Sequence, residues 1–263
     1  MANLHTVINM DISISYQLLL LLFVVALLAG FIDSIAGGGG LLTVPALLAV
    51  GIAPQAALAT NKLQSCGGSF SASWYFIRRR MVNLSEMKLS ILLAFVGSAL
   101  GTLLVLHIQS DFLRVLLPIL TISVGLYFLF CPKIGEHDRQ RRLSEAQFAI
   151  VAAMVVGFYD GFFGPGAGSF YALAYVTLAG FNLTKATAHT KVLNFTSNIA
   201  GLLFFVFSGQ VLWTIGLTML VGQVIGARIG AKMVLSKGKK LIRPMLIIVS
   251  TVMSLKLIGE NFF

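Results

Sequence analysis

GFIDSIAGGGGLLTVPALLAVGIAPQAALATNKLQS, residues 30–65, sets an acid, Asp33, at the end of an apolar run and follows it with four glycines, Gly37 to Gly40. A short apolar segment comes next, then a lysine, Lys62, inside a further apolar run. The pattern returns at residues 157–194, GFYDGFFGPGAGSFYALAYVTLAGFNLTKATAHTKVLN, with Asp160, the break Gly164-Pro165-Gly166-Ala167-Gly168, and Lys191. Charges inside apolar runs are costly and rare, so the same pair met twice demands a physical reason.

The surrounding composition supplies the setting. The 263 residues are 57% hydrophobic and only 11% charged, with 26 glycines and 20 phenylalanines, and the mean hydropathy is +0.92. Several apolar runs reach the roughly 20 residues that a membrane helix needs. The expected class is an all-α polytopic membrane protein; the short alternating segments of a β-barrel are not visible. The net charge of +10 does not indicate nucleic-acid binding. Most of the 19 basic residues gather in three loops: Arg78, Arg79, Arg80 and Lys88; Lys133, Arg139, Arg141 and Arg142; Lys237, Lys239, Lys240 and Arg243. Such loops face the cytoplasm. Cys66 and Cys131 are too few and too far apart to suggest a metal site or a disulfide framework. The N-terminus has no basic region before its apolar run, so residues 14–35 read as a membrane helix rather than a cleaved leader.

Hydropathy predicts ten helical segments, at about 14–35, 40–51, 56–77, 86–107, 111–131, 146–164, 168–180, 184–207, 210–234 and 240–258. The second and seventh are too short to span as straight rods, and each follows a glycine break. Asp33 and Asp160 lie 127 apart, whereas Gly51 and Gly180, Lys62 and Lys191, and Gly97/Gly101 and Gly226/Gly230 all lie 129 apart. The chain thus reads as a first transmembrane repeat over 1–131, a basic cytoplasmic linker over 132–145 and a second repeat over 146–263. Five segments per half turn the second half over, an inverted-topology repeat with both termini external.

Lys62 and Lys191 lie inside their helices. Snorkelling to the interface would explain one such lysine, but does not require the same position twice. The functional reading is a pair of cations beside an anion path, with Asn61 and Gln64 near one and His189 and Asn194 near the other as hydrogen-bond donors. Asp33 and Asp160 fit two roles: anchors of the broken helices, through freed N–H groups or a lysine, or proton sites for coupled transport. The breaks at Gly37, Gly38, Gly39, Gly164 and Gly166 lack the GK[ST] of a phosphate loop. They either expose helix N-termini suited to anions or allow close packing. Gly97/Gly101 and Gly222/Gly226/Gly230 read as helix-packing surfaces.

The segments GFIDSIAGGGGLLTVPAL, ALATNKLQ, GFYDGFFGPGAGSF and KATAHTKVLN resemble the sulfite exporter TauE/SafE family of bacterial membrane permeases, over nearly the whole chain. The resemblance implies transport of a small anion such as sulfite, a sulfonate or a related organic acid across the bacterial inner membrane. It implies no cofactor and no nucleic-acid partner; the partners are the anion and the bilayer, with a homo-oligomer left open. A passive anion channel is the alternative. An intramembrane aspartyl hydrolase using Asp33 and Asp160 is a more remote one, because no Gly-x-Gly-Asp is present.

Overall fold

The first helix begins where a side chain can satisfy its open end. Ser15 Oγ accepts the Leu18 N–H at 3.1 Å, and α1 runs Tyr16–Ala36. It stops at Gly37, whose φ of +83° is left-handed and disfavours any side chain. In the computed structural model, which describes residues 15–113, 115–117, 119, 120, 123 and 140–237, seven more helices follow. They are α2 (Gly40–Ala49), α3 (Pro54–Arg78), α4 (Lys88–Leu106), α5 (Glu145–Phe162), α6 (Ala167–Thr177), α7 (Leu183–Phe207) and α8 (Trp213–Lys237). Helix resumes at residue 110, beyond α4. Among the described residues there is no strand.

Several boundaries depart from the hydropathy reading. A 3₁₀ turn, Leu84–Met87, precedes α4. The chain leaves α6 at Thr177, three residues before Gly180, and α8 begins at Trp213 rather than 210. Within α5, Ala149–Met154 is wound as π-helix, a feature with no signal in a run of alanine, valine and isoleucine. The segment expected at 240–258, the basic loop beyond Lys237, Arg114, Cys131 and most of the 132–145 linker lie outside the described residues.

Five stretches are long and apolar enough to cross a bilayer: Tyr16–Ala36, Leu84–Leu106, Glu145–Phe162, Leu183–Phe207 and Trp213–Lys237. Their burial pattern is inside-out relative to a water-soluble bundle. Leu20, Leu21, Leu92, Ile150, Val155, Leu217 and Phe207 are exposed, while Thr43, Asn61, Lys62, Gln64, Asp160, Lys191, Ser197, Asn198 and Gln223 are buried. Apolar side chains turned outward over whole helices suit hydrocarbon. The 25 residues of α3 are long enough to span, at about 37 Å, but carry the polar residues that the interior uses.

Two close seams frame the molecule. Along α8 and α1, a Cβ at Gly226 would lie 1.9 Å from the Leu27 carbonyl oxygen, and one at Gly230 2.5 Å from that of Phe31. Along α4 and α5, a Cβ at Gly97 would lie 2.2 Å from the Met154 carbonyl oxygen, and one at Gly101 2.1 Å from that of Phe158. Small residues let helix backbones approach this closely in the absence of a hydrophobic drive. The two seams correspond residue for residue: Leu27 and Phe31 precede Met154 and Phe158 by 127, and Gly97 and Gly101 precede Gly226 and Gly230 by 129. α8 thus packs on α1 in the way that α4 packs on α5.

Candidate functional site

The centre is built where α3 and α7 pass the ends of α1 and α5. Lys62 is 1% exposed and Lys191 0%, so neither reaches an interface. Each instead meets the aspartate of the opposite half. Lys62 Nζ donates to Asp160 Oδ1 at 2.6 Å, to the Asp160 carbonyl oxygen and to Asn198 Oδ1 at 3.3 Å. Lys191 Nζ donates to Asp33 Oδ2 at 2.9 Å and to the Asp33 carbonyl oxygen.

The breaks explain why a lysine belongs there. A helix ends in carbonyl groups without intrahelical partners and carries a partial negative charge. The Asp33 carbonyl accepts the Gly37 N–H at 2.8 Å as α1 ends and also takes Lys191. After α5 the Gly164 N–H turns to the Tyr159 carbonyl at 3.3 Å, leaving that of Asp160 to Lys62. Each ammonium thus caps a helix end and neutralises a carboxylate. Such pairs persist in low dielectric only with their remaining hydrogen bonds satisfied. Asp33 Oδ1 accepts the Gly39 N–H at 3.2 Å, and Asp160 Oδ2 accepts the Ser197 hydroxyl.

The two breaks lie against each other. A Cβ at Gly37 would come within 2.4 Å of the Gly168 carbonyl carbon, and one at Gly40 within 3.0 Å of Pro165 Cα. Ser169 Oγ donates to the Ala36 carbonyl at 2.6 Å, and Tyr159 Oη to that of Pro165 at 2.6 Å. Gly38 offers its carbonyl to the Leu41 N–H at 3.1 Å, while Gly164 and Gly166 take φ of +95° and +84°. A cavity of about 10 Å³ remains beside the breaks, lined by Gly37, Gly168, Thr187, Thr190 and Lys191 among others. That is about the size of one water.

The other candidate residues divide. Asn61 Oδ1 accepts Thr43 Oγ1 at 2.6 Å and Gln64 Nε2 at 2.9 Å, a cluster tying α2 to α3, and the Gln64 Oε1 is buried without a partner among the described residues. Asn194 Oδ1 accepts Asn198 Nδ2 at 3.1 Å, which links it to Lys62 through Asn198. His189 stands apart from both ion pairs: its Nδ1 donates to the Lys185 carbonyl at 2.9 Å, and its ring packs on Tyr175 and Phe181. Thr43 and Asn198 went unnoticed in the sequence. Their repeat counterparts, Ala172 and Ser69, give no matching signal. Each aspartate is held by its own lysine, so the shared-proton dyad of an aspartyl hydrolase is not formed.

The family profile described as sulfite exporter TauE/SafE matches residues 22–257. The probable membrane transporter protein YfcA of Escherichia coli strain K12 is 66% identical over 248 residues, covering 94% of this chain and 92% of that protein. A probable membrane transporter protein of Haemophilus influenzae is 54% identical over 252 residues, covering 96% of this chain and 98% of its own length. At greater distance, the probable membrane transporter protein YunE of Bacillus subtilis is 26% identical over 272 residues, covering 92% and 98%. With helices that turn leucine outward and keep charge within, and with these relatives, the chain belongs to the sulfite exporter TauE/SafE family and is a membrane transporter, not an enzyme.

Proposed function

We propose that the protein is a secondary transporter of a small anion, sulfite or a sulfonate or a related organic acid, seated in the bacterial inner membrane with both termini external. The observation that carries this reading is the pair of buried lysines, each bonded across to the opposite half. A fixed cation in low dielectric attracts an anion strongly, and a cation that bridges two halves feels any movement between them. The inverted repeat supports alternating access, in which one half rocks against the other around a central site. Lys62 and Lys191 attract the anion, with Asn61, Gln64 and Asn194 supplying polar contacts and His189 lying further along the path. Asp33 and Asp160 hold the broken helices and serve as counter-ions. Membership of the sulfite exporter family supports a sulfur oxyanion as the first cargo to try.

The test is uptake of labelled sulfite and taurine by purified protein in liposomes. Saturable uptake is expected, falling at least tenfold in Lys62→Ala and Lys191→Ala. Intact flux in both variants would sink the site assignment. Flux that never saturates would instead identify a passive channel.

A further inference from the structure

The two lysine–aspartate pairs are related by the repeat, yet their surroundings are not. Lys62 has three acceptors, the Asp160 carbonyl, Asp160 Oδ1 and Asn198 Oδ1, and an ammonium has three N–H groups. It is fully used. Asp160 is likewise closed, with Lys62 on one oxygen and Ser197 on the other, and its side chain is 2% exposed.

Lys191 has two acceptors among the described residues, both on Asp33. That leaves one N–H of the ammonium without an acceptor among the described residues, and Lys191 lines the small cavity. Thr190 lines the same cavity, and its Oγ1 is buried with no hydrogen-bond partner among the described residues. The Asp33 side chain is 16% exposed. The residues that lock the first pair are missing from the second: 129 positions before Ser197 and Asn198 stand Gly68 and Ser69. Gly68 has no hydroxyl, and Gln223 fills the space that a side chain would need, 2.4 Å from a Cβ placed there. Ser69 Oγ turns to the Ser65 carbonyl at 2.5 Å.

We infer that Asp33 is an internal anion occupying the site of the transported one: the cargo displaces its carboxylate from Lys191, while Lys62–Asp160 stays closed as a clamp. The cavity gives one oxygen of the incoming anion its first seat, between the free Lys191 N–H and Thr190 Oγ1. The remaining oxygens take the place of the Asp33 carboxylate as it swings away. No covalent step is involved. The inference rests on the anion-transport reading and narrows the two lysines to one exchanging site.

The test uses the full chain, with sulfite as the probe. Asp33→Ala and Asp160→Ala each strand a buried lysine and lower the melting temperature. Sulfite restores Asp33→Ala, with a thermal shift at least twice that of the wild type, and leaves Asp160→Ala unrescued. The paired substitutions Asp33→Asn/Lys191→Gln and Asp160→Asn/Lys62→Gln strand no charge, and they decide the matter alone if the single variants do not fold. Both pairs lower uptake, because Lys62 and Lys191 both serve transport, but only the first loses the sulfite-induced thermal shift. Rescue of Asp160→Ala alone, or loss of that shift in both pairs, overturns the assignment of the exchanging site while leaving anion transport standing. A wild-type protein that neither shifts with nor takes up sulfite, taurine or sulfoacetate overturns the transport reading, and this inference with it.

Discussion

Along the seams, α8 on α1 and α5 on α4, the halves meet glycine against carbonyl oxygen. At the centre, around α3 and α7, they meet lysine against aspartate. The seams have no slack, because the approach is set by backbone. The centre is held by side chains, which can rotate, and by paired charges. One kind of joint suits rods that move as units; the other suits a contact that is made and broken.

The comparison is most sharply tested at Gly226. Gly226→Leu must drive its side chain into the Leu27 carbonyl, 1.9 Å from the nearest Cβ position, and the expected result is loss of a monodisperse peak after detergent extraction. Gly51→Ala is the contrast: nothing lies within 4 Å of its Cβ position and only the φ of +85° is unfavourable, so the loss should be about 1–2 kcal/mol. Similar behaviour of the two would mean that the seam is softer than its geometry implies.

The next largest effect belongs to the centre. Asp160→Asn leaves Lys62 charged and buried, and breaking one side of such a pair costs about 3–5 kcal/mol. Lys62→Met/Asp160→Leu removes both charges and should melt within a few degrees of the wild type, since apolar replacement of a buried pair is often neutral or stabilising. A double variant as unstable as the single one would show that the ion pair holds the fold together, as the seams do. The smallest effect is expected at the surface. Arg141 and Glu145 pair at 2.6 Å, but their side chains are 40% and 39% exposed. Solvent screening leaves less than about 1 kcal/mol for Glu145→Gln in the same melts.

Much of this arrangement was legible before any coordinates. Helix class followed from hydropathy, the breaks from glycine and proline, and the burial of Lys62 and Lys191 away from an interface from their recurrence. The crossing of the pairs was not legible. Lys62 with Asp33, inside one half, satisfies the same charge rule as Lys62 with Asp160, and only the packing decides between them. Asn198 and Thr43 were missed because the repeat does not duplicate them. The features that distinguish one ion pair from the other are those that the two segments do not share. The π-helical stretch in α5 was invisible for another reason: its alanines and valines fit an ordinary helix equally well, and the winding is set by what packs against it.

The exchanged seams also dictate an order of assembly during synthesis. The glycines that receive α1 lie at residues 222, 226 and 230, nearly two hundred residues downstream. At about 5–20 residues per second, the wait before α8 emerges is on the order of tens of seconds. Through that interval α1 sits in the bilayer with its future seam against lipid, and α4, whose partner α5 is much nearer in sequence, closes first. Any chaperone or insertase that shields α1 therefore acts on a helix that waits longer for its seam than α4 does.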